Sequence, residues 1–340
     1  MIAVRYLGRF LLCLLVMPFL LWAGAALWID GPVHRVLAGL LVVGYFLAAA
    51  YLILYVRPFL HSQIGLLLLG LLVLGWWLGL KPSNDRDWQA DVARLPRATL
   101  EGDTLTISNV RQFVYPNPGQ VSEHWSTQSY QLSELTGFDI FFSFWGPTAY
   151  GHTLASWSFA DGRHLAISIE ARKESHEEYS AIKSFFRQFE LYYVVSQETD
   201  VVGVRAGPRQ ERLELYRVFT PNDGARLMLL DYIDELNQLA DEPRWYNAFG
   251  NNCTTTIWRH ARSIGSSFPL DWRLLANGYV LELARELGTV NSDYDLEELR
   301  RRSDVTDKAR ALVAAGADDR AFSAGLRVDL PPRPTAFPEP

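Results

Sequence analysis

Two cysteines occur in 340 residues, and they sit in very different surroundings. Cys13 lies in an uncharged apolar stretch, whereas Cys253 follows two asparagines and heads a threonine run in "YNAFGNNCTTTIWRH". A nucleophilic thiol needs a base to take its proton, a group to orient that base, and donors for the oxyanion that forms. Cys253 supplies the thiol in a favourable place, because a cysteine in the first turn of a helix feels the positive end of the helix dipole. Asn251 and Asn252 are placed either to cap that helix or to supply amide donors beside the sulfur. The competing reading is a buried, inert cysteine serving as a small hydrophobe.

The base has to be a histidine outside the apolar N-terminal region: His124, His152, His164, His176 or His260. His260 stands seven residues on in the same helix, roughly 10 Å along the axis at about 1.5 Å per residue, and cannot reach the thiol. His176 falls in the charged run "RKESHEE", and His124 in a polar segment without pattern. His152 heads an alternating strand, "GHTLASWSF", followed by Asp161-Gly162 and a second strand, "HLAISIEAR". If the hairpin turns at Asp161, residues whose numbers sum to about 322 face each other across the pair. This register predicts His152, Ser156, Ser158, His164, Ser168 and Glu170 on a polar face, with Ala155, Trp157, Phe159, Leu165, Ile167 and Ile169 on an apolar one. Glu170 then lies opposite His152, able to accept its second N–H and hold the tautomer. His164 falls near the turn, about 20 Å along the strand, and is the weaker third member. Glu170 has alternative partners in Arg172 and Arg205, which would make it structural.

The elements that must carry these residues follow a membrane-like region. Stretches 10–29, 36–56 and 64–80 are uncharged, and each approaches the roughly 20 apolar residues that span a bilayer. They predict three transmembrane helices and an anchor over 1–81. Arg5 and Arg9 precede the first span, Arg57 separates the second from the third, and only Arg35 lies between the first two. That bias places the N-terminus in the cytoplasm and the remainder beyond the membrane. With Cys13 inside a span, no intramolecular disulfide is expected. A net charge of −6 without basic runs argues against a nucleic-acid partner.

Residues 82–97 are polar, contain two prolines and read as a linker. A domain over 98–291 follows, with hairpins about Gly102-Asp103 and Asp161-Gly162 and a buried strand "TGFDIFFSFW". Residues 174–190 read as helical, then "YYVVS", "VVGVRAG" and "RLELYRVF" as strands, with helices over 223–240 and from Cys253. Residues 292–328 are short charged helices, and 329–340 form a proline-rich tail expected to be disordered. The class is α+β, with no metal-ligand cluster and no cofactor expected.

"SNDRDWQADVARLPRA", "ISNVRQFVY", "GHTLASWSFADGRHLAISIEARKE" and "YNAFGNNCTT" resemble the ordered blocks of a bacterial domain family. The family is named after the periplasmic domain of Lnb, a lipoprotein N-acyltransferase, and the resemblance runs from Pro82 to Gly265. It implies a permuted papain-like thiol fold, similar in logic to NlpC-type enzymes and to lecithin:retinol acyltransferase, with a strand histidine preceding a helix cysteine. The lecithin:retinol group carries a second histidine twelve residues after the first, a spacing that His152 and His164 match. Here three spans come first, unlike the Lnb arrangement. The resemblance thus implies thiol chemistry more firmly than a substrate. The expected activity is acyl transfer from a membrane phospholipid through a Cys253 thioester to an amine such as a lipoprotein N-terminus. Trp145, Tyr150 and Tyr246 are candidates to line the acyl site, and the expected setting is the bacterial inner membrane with the domain in the periplasm. A cell-wall amidase or peptidase using the same residues, and a non-catalytic scaffold, are the competing readings.

Overall fold

The computed structural model describes residues 2–32, 34–115, 120–146, 149–220 and 223–336, and the chain divides into two compact units. The first comprises the residues up to Ser83 together with Tyr179–Phe189. Its helices α1 (Ile2–Ile29), α2 (Arg35–Tyr55) and α3 (Phe59–Gly79) are long and apolar enough to cross a membrane. Small residues bring them together: Ala23, Ala26 and Ala38 have no exposed surface, and a Cβ on Gly70 would meet the Phe19 ring at 2.5 Å. The third helix starts before the apolar run, because Ser62 donates to the Leu52 carbonyl at 2.8 Å and is buried.

Residues 174–190 are not the helix that their charge pattern predicts. Only a single 3-10 turn, Lys183–Phe185, forms there. The tertiary partners of this segment override its weak period. Phe186 is buried in the apolar cluster of the three helices, and Asp30 accepts from Trp77 Nε1 at 2.6 Å, Gln188 Nε2 at 3.0 Å and the Arg187 backbone at 3.1 Å.

The second unit, Asn84–Glu178 with the residues from Glu190 onward, is built on an eight-stranded sheet. Its strands are β1 (Arg97–Glu101), β2 (Thr104–Arg111), β3 (Trp125–Gln131), β4 (Leu135–Phe144), β5 (His152–Phe159), β6 (His164–Arg172), β7 (Glu190–Ser196) and β8 (Arg212–Val218). The order is β1-β2-β7-β6-β5-β4-β8, with β3 also on β2. Pairing is antiparallel except between β2 and β7. The helices are α4 (Glu198–Val201), α5 (Gly203–Ala206), α6 (Gly224–Asp241), α7 (Cys253–Ser263), α8 (Val280–Glu286), α9 (Leu296–Ser303), α10 (Thr306–Ala314) and α11 (Asp319–Leu326). The class is α+β behind three apolar helices.

The β5–β6 pair has the 322 register: Leu154 faces Ser168, Ser156 faces Ala166, and Ser158 faces His164. Gly162, at φ +85°, closes the turn as the Asp-Gly dipeptide predicts. The two faces are both covered, however. Trp157 packs edge-on against Tyr232 of α6 on one side. On the other, Leu154 and Ala166 are buried with residues of α4, α5, α10 and α11. The face coded as polar is therefore interior. Ser156 and Glu170 on it are matched by Glu198 and Arg205 from the covering segments, since a buried polar group without a partner is costly.

Three sequence expectations change here. "VVGVRAG" forms part of α4 and α5 rather than a strand: Asp200 pairs with Arg111 at 2.8 Å and accepts from the Phe113 backbone, fixing a turn of helix. Residues 84–97 pack within the second unit, where Asn84 donates to the Leu239 carbonyl at 2.8 Å. The start of the proline-rich tail is also tied down. Leu330 is buried, and Arg333 pairs with the fully buried Asp139 at 2.7 Å; residues 337–340 lie outside the described residues.

Candidate functional site

Cys253 is the first residue of α7, and Asn252 is its N-cap. The Asn252 side chain accepts from the Thr255 backbone at 2.8 Å, and the Thr255 hydroxyl returns a contact to the Asn252 backbone at 3.1 Å, a closed capping box. The amide nitrogens of Asn251 and Asn252 donate to the carbonyls of Trp245 and Ala248 at 3.2 and 2.7 Å. Both asparagines thus shape the turn that presents the sulfur. The donors a helix leaves at this point are the backbone N–H groups of its first turn.

His152 begins β5, and its position relative to α7 is fixed by Asn277. That side chain accepts from the Gly151 backbone at 2.7 Å and donates to the Gly151 carbonyl at 2.6 Å and to Thr254 Oγ1 at 3.0 Å. Thr254 also contacts Thr153 Oγ1 at 3.1 Å. Gly151 has to be glycine, because a Cβ would lie 2.8 Å from the Ser143 carbonyl and the Phe144 ring. Nothing in the spacing of Asn277 or Thr254 marks the link they form, since it joins residues distant in sequence.

The imidazole is enclosed. Its Nε2 lies 2.7 Å from Ser168 Oγ and 3.2 Å from Glu170 Oε1, and the Ser168 hydroxyl donates to the same carboxylate oxygen at 2.6 Å. Nε2–H pointing at these acceptors leaves Nδ1 for the thiol. Burial works against a charged imidazole, but the Glu170 carboxylate and the Cys253 sulfur outweigh it and push His152 up to about 9. Burial likewise opposes the thiolate. The facing imidazolium, helped by the Thr153 backbone and the Thr254 hydroxyl, nevertheless holds Cys253 below the ordinary thiol range. Glu170 is held well below the usual carboxylate range, with the charges of His152 and Arg205 overcoming its burial. The geometry accommodates a thiolate–imidazolium pair in a site from which water is mostly excluded.

The remaining candidates separate cleanly. His164 is buried opposite Ser158, and burial pushes it toward the neutral form. The structure does not bring it to the thiol. His260 is a core residue, 2.5 Å from Asp231 and 2.7 Å from the Tyr193 hydroxyl, stacked on Tyr232. His124 and His176 are exposed. Trp145 and Tyr150 present their rings to solvent in the connection leading to His152, whereas Tyr246 is buried.

Residues 122–278 match the family model described as the Lnb N-terminal periplasmic domain, a span that contains every residue of this site. No curated protein and no solved structure matches the chain.

Proposed function

Because residues 122–278 match the Lnb N-terminal periplasmic domain and follow three helices fit to cross a membrane, we propose that this chain is a membrane-anchored thiol acyltransferase. The observation that carries the reading is Cys253 at the N-terminus of α7 facing an imidazole that Ser168 and Glu170 orient. In the first step the Cys253 thiolate attacks the ester carbonyl of a membrane phospholipid, and the oxyanion forms against the first-turn N–H groups of α7. The ester C–O bond breaks as imidazolium of His152 protonates the departing lysolipid alkoxide, leaving a Cys253 thioester and neutral imidazole. An amine then attacks the thioester. His152 takes the amine proton, the C–S bond breaks, and an amide and the thiolate–imidazolium pair result. A lipoprotein N-terminus is the proposed acceptor, and the bacterial inner membrane the proposed location.

A lipid donor is supported by the surface around the site. Trp145, Tyr150, Phe249, Leu270 and Trp272 are each more than half exposed. The segment carrying Leu270 and Trp272 is joined to the His152 connection by the Gly278–Ala149 backbone bond and by Asn277. Aromatic and leucine side chains in water suit the interfacial region of a bilayer.

The test is mass spectrometry of the Cys253 peptide from protein purified out of membranes in phospholipid. An acyl mass that neutral hydroxylamine removes is expected, absent from Cys253→Ala. A bare thiol under all lipid compositions, in protein whose Cys253 is alkylated readily, would shift the reading to a hydrolytic amidase or peptidase.

A further inference from the structure

Arg205 has no part in the chemistry above, yet its guanidinium is buried beneath the row of side chains that holds His152. We propose that Arg205 is a positioning residue for the thiol site, clamping Glu170 against His152 and Ser168 from the covering helix layer; this rests on the thiol reading of Cys253. Three neighbouring strands contribute to that row on one face. Ser143 of β4 stands opposite His152 of β5, and Glu170 of β6 completes it. Arg205, on α5, reaches both outer strands. Its Nη2 donates to Glu170 Oε1 at 2.7 Å, and its Nε lies 3.7 Å from Glu211 Oε2, the oxygen that accepts from Ser143. Nη1 donates to the Val201 carbonyl at 2.6 Å, tying the guanidinium to the end of α4.

The need for such a clamp follows from the loading of one atom. Glu170 Oε1 accepts from Ser168, from Arg205 and from His152, with His152 the longest of the three. About a quarter of the Glu170 side chain is exposed, so without a buried cation the carboxylate can turn outward to water. Ser168 alone would then face Nε2, and a neutral hydroxyl orients imidazolium more weakly than a carboxylate does. The charged groups facing His152 are Glu170 from β6 and Cys253 from α7; Arg205 from α5 stands behind Glu170, with Glu211 and Arg209 next to it.

Two effects of removing Arg205 have opposite signs. Loss of a nearby cation by itself favours imidazolium and strengthens the pair. Loss of the clamp releases Glu170 and weakens it. The assay is the pH dependence of Cys253 alkylation by iodoacetamide, read on full-length protein in Arg205→Met, Glu170→Gln and the double variant, with Arg205→Lys as conservative rescue. Positioning predicts that Arg205→Met slows alkylation at pH 6.5 at least about tenfold relative to wild type and shifts the profile toward an ordinary thiol, with pKa about 8.5. The same change in Glu170→Gln protein should add less than about threefold, because nothing is left to clamp. Arg205→Lys should recover most of the rate.

An unchanged or more acidic profile in folded Arg205→Met, or an equal loss in both backgrounds, overturns the proposal. Should Arg205→Met not fold, Arg205→Gln is read on the same criteria, an acid-ward or absent shift again counting against it. A wild-type Cys253 that resists alkylation at pH 7 would instead sink the thiol reading itself, so the two failures are distinguishable.

Discussion

Replacing Glu170 by glutamine tests the carboxylate with little change of shape. The rise of His152 from 6.5 to about 9 corresponds to roughly 3 kcal/mol of preference for imidazolium. Burial opposes that rise, so Glu170 and Cys253 together supply more than the net figure. At 3.2 Å and an effective dielectric of about 20, one unit charge contributes on the order of 5 kcal/mol before competing interactions are counted, enough for Glu170 to carry the larger part. Glu170→Gln should therefore bring His152 below neutrality and lower acyl turnover about 10²- to 10⁴-fold, as when a triad's orienting carboxylate becomes an amide.

His164→Gln is the paired measurement. Its position at the turn is about 20 Å along the strand, where even a full unit charge at the same effective dielectric of about 20 is worth under about 1 kcal/mol, and burial keeps His164 toward the neutral form. Activity per folded molecule should stay within about threefold of wild type. The assay is acyl release from a fluorogenic phospholipid in mixed micelles, with folding of each variant checked by thermal melting. A dead His164→Gln protein beside an active Glu170→Gln protein would refute the register argument and favour the two-histidine pattern of the lecithin:retinol group.

Four shorter tests bear on the rest of the structure. Wild-type Cys253 should alkylate faster at pH 7 than a free cysteine, His152→Ala should slow it at least about tenfold, and reactivity only after denaturation in both would mark the thiol as structural. Turnover should fall above about pH 9, because His152 is protonated below that value and its proton is needed by the leaving group; a rate still rising past pH 10 would contradict this. Asp319 is pushed up to about 7, by burial first and Glu198 second, so its stabilising protonated form is lost as pH rises through that value. Asp319→Asn should therefore stabilise the fold at pH 8 by up to about 4 kcal/mol, the equivalent of about three pKa units, read as a higher melting temperature, and change little at pH 4. A reporter fused after Arg86 should work only outside the cytoplasm, and activity of a cytoplasm-only reporter there would reverse the proposed orientation.

The arrangement of the candidate residues was readable from sequence where local chemistry decides the geometry. Asp161-Gly162 fixes a tight turn, the turn fixes the register, and the register sets Glu170 beside His152 with no knowledge of the rest of the chain. Asn252 announces the start of α7 in the same way, as a cap candidate ahead of a threonine run, and the structure closes the capping box with Thr255 three residues on. What could not be read is which face would be covered. Alternating Ser, His and Glu imply water on one side, and that inference fails because Arg205 and Arg327 arrive from segments 35 and more residues away, counting from Glu170.

The misreading of "VVGVRAG" and the hidden polar face have a single physical origin. A seven-residue run, apolar but for Arg205, is too short to show a period that separates strand from helix, and α4 and α5 are only four residues each, too short to form unaided. They exist because Asp200 is tied to Arg111 and Arg205 to Glu170, while Val201, Val202 and Ala206 fill the apolar belt around Leu154. The same ion pairs that nucleate these helices therefore bury the polar end of the sheet. It follows that the carboxylate behind His152 and the helix turn above it stabilise one another: removing Arg205 should loosen α5 and release Glu170 together, and faster amide exchange confined to residues 201–206 in that variant would be the local signature.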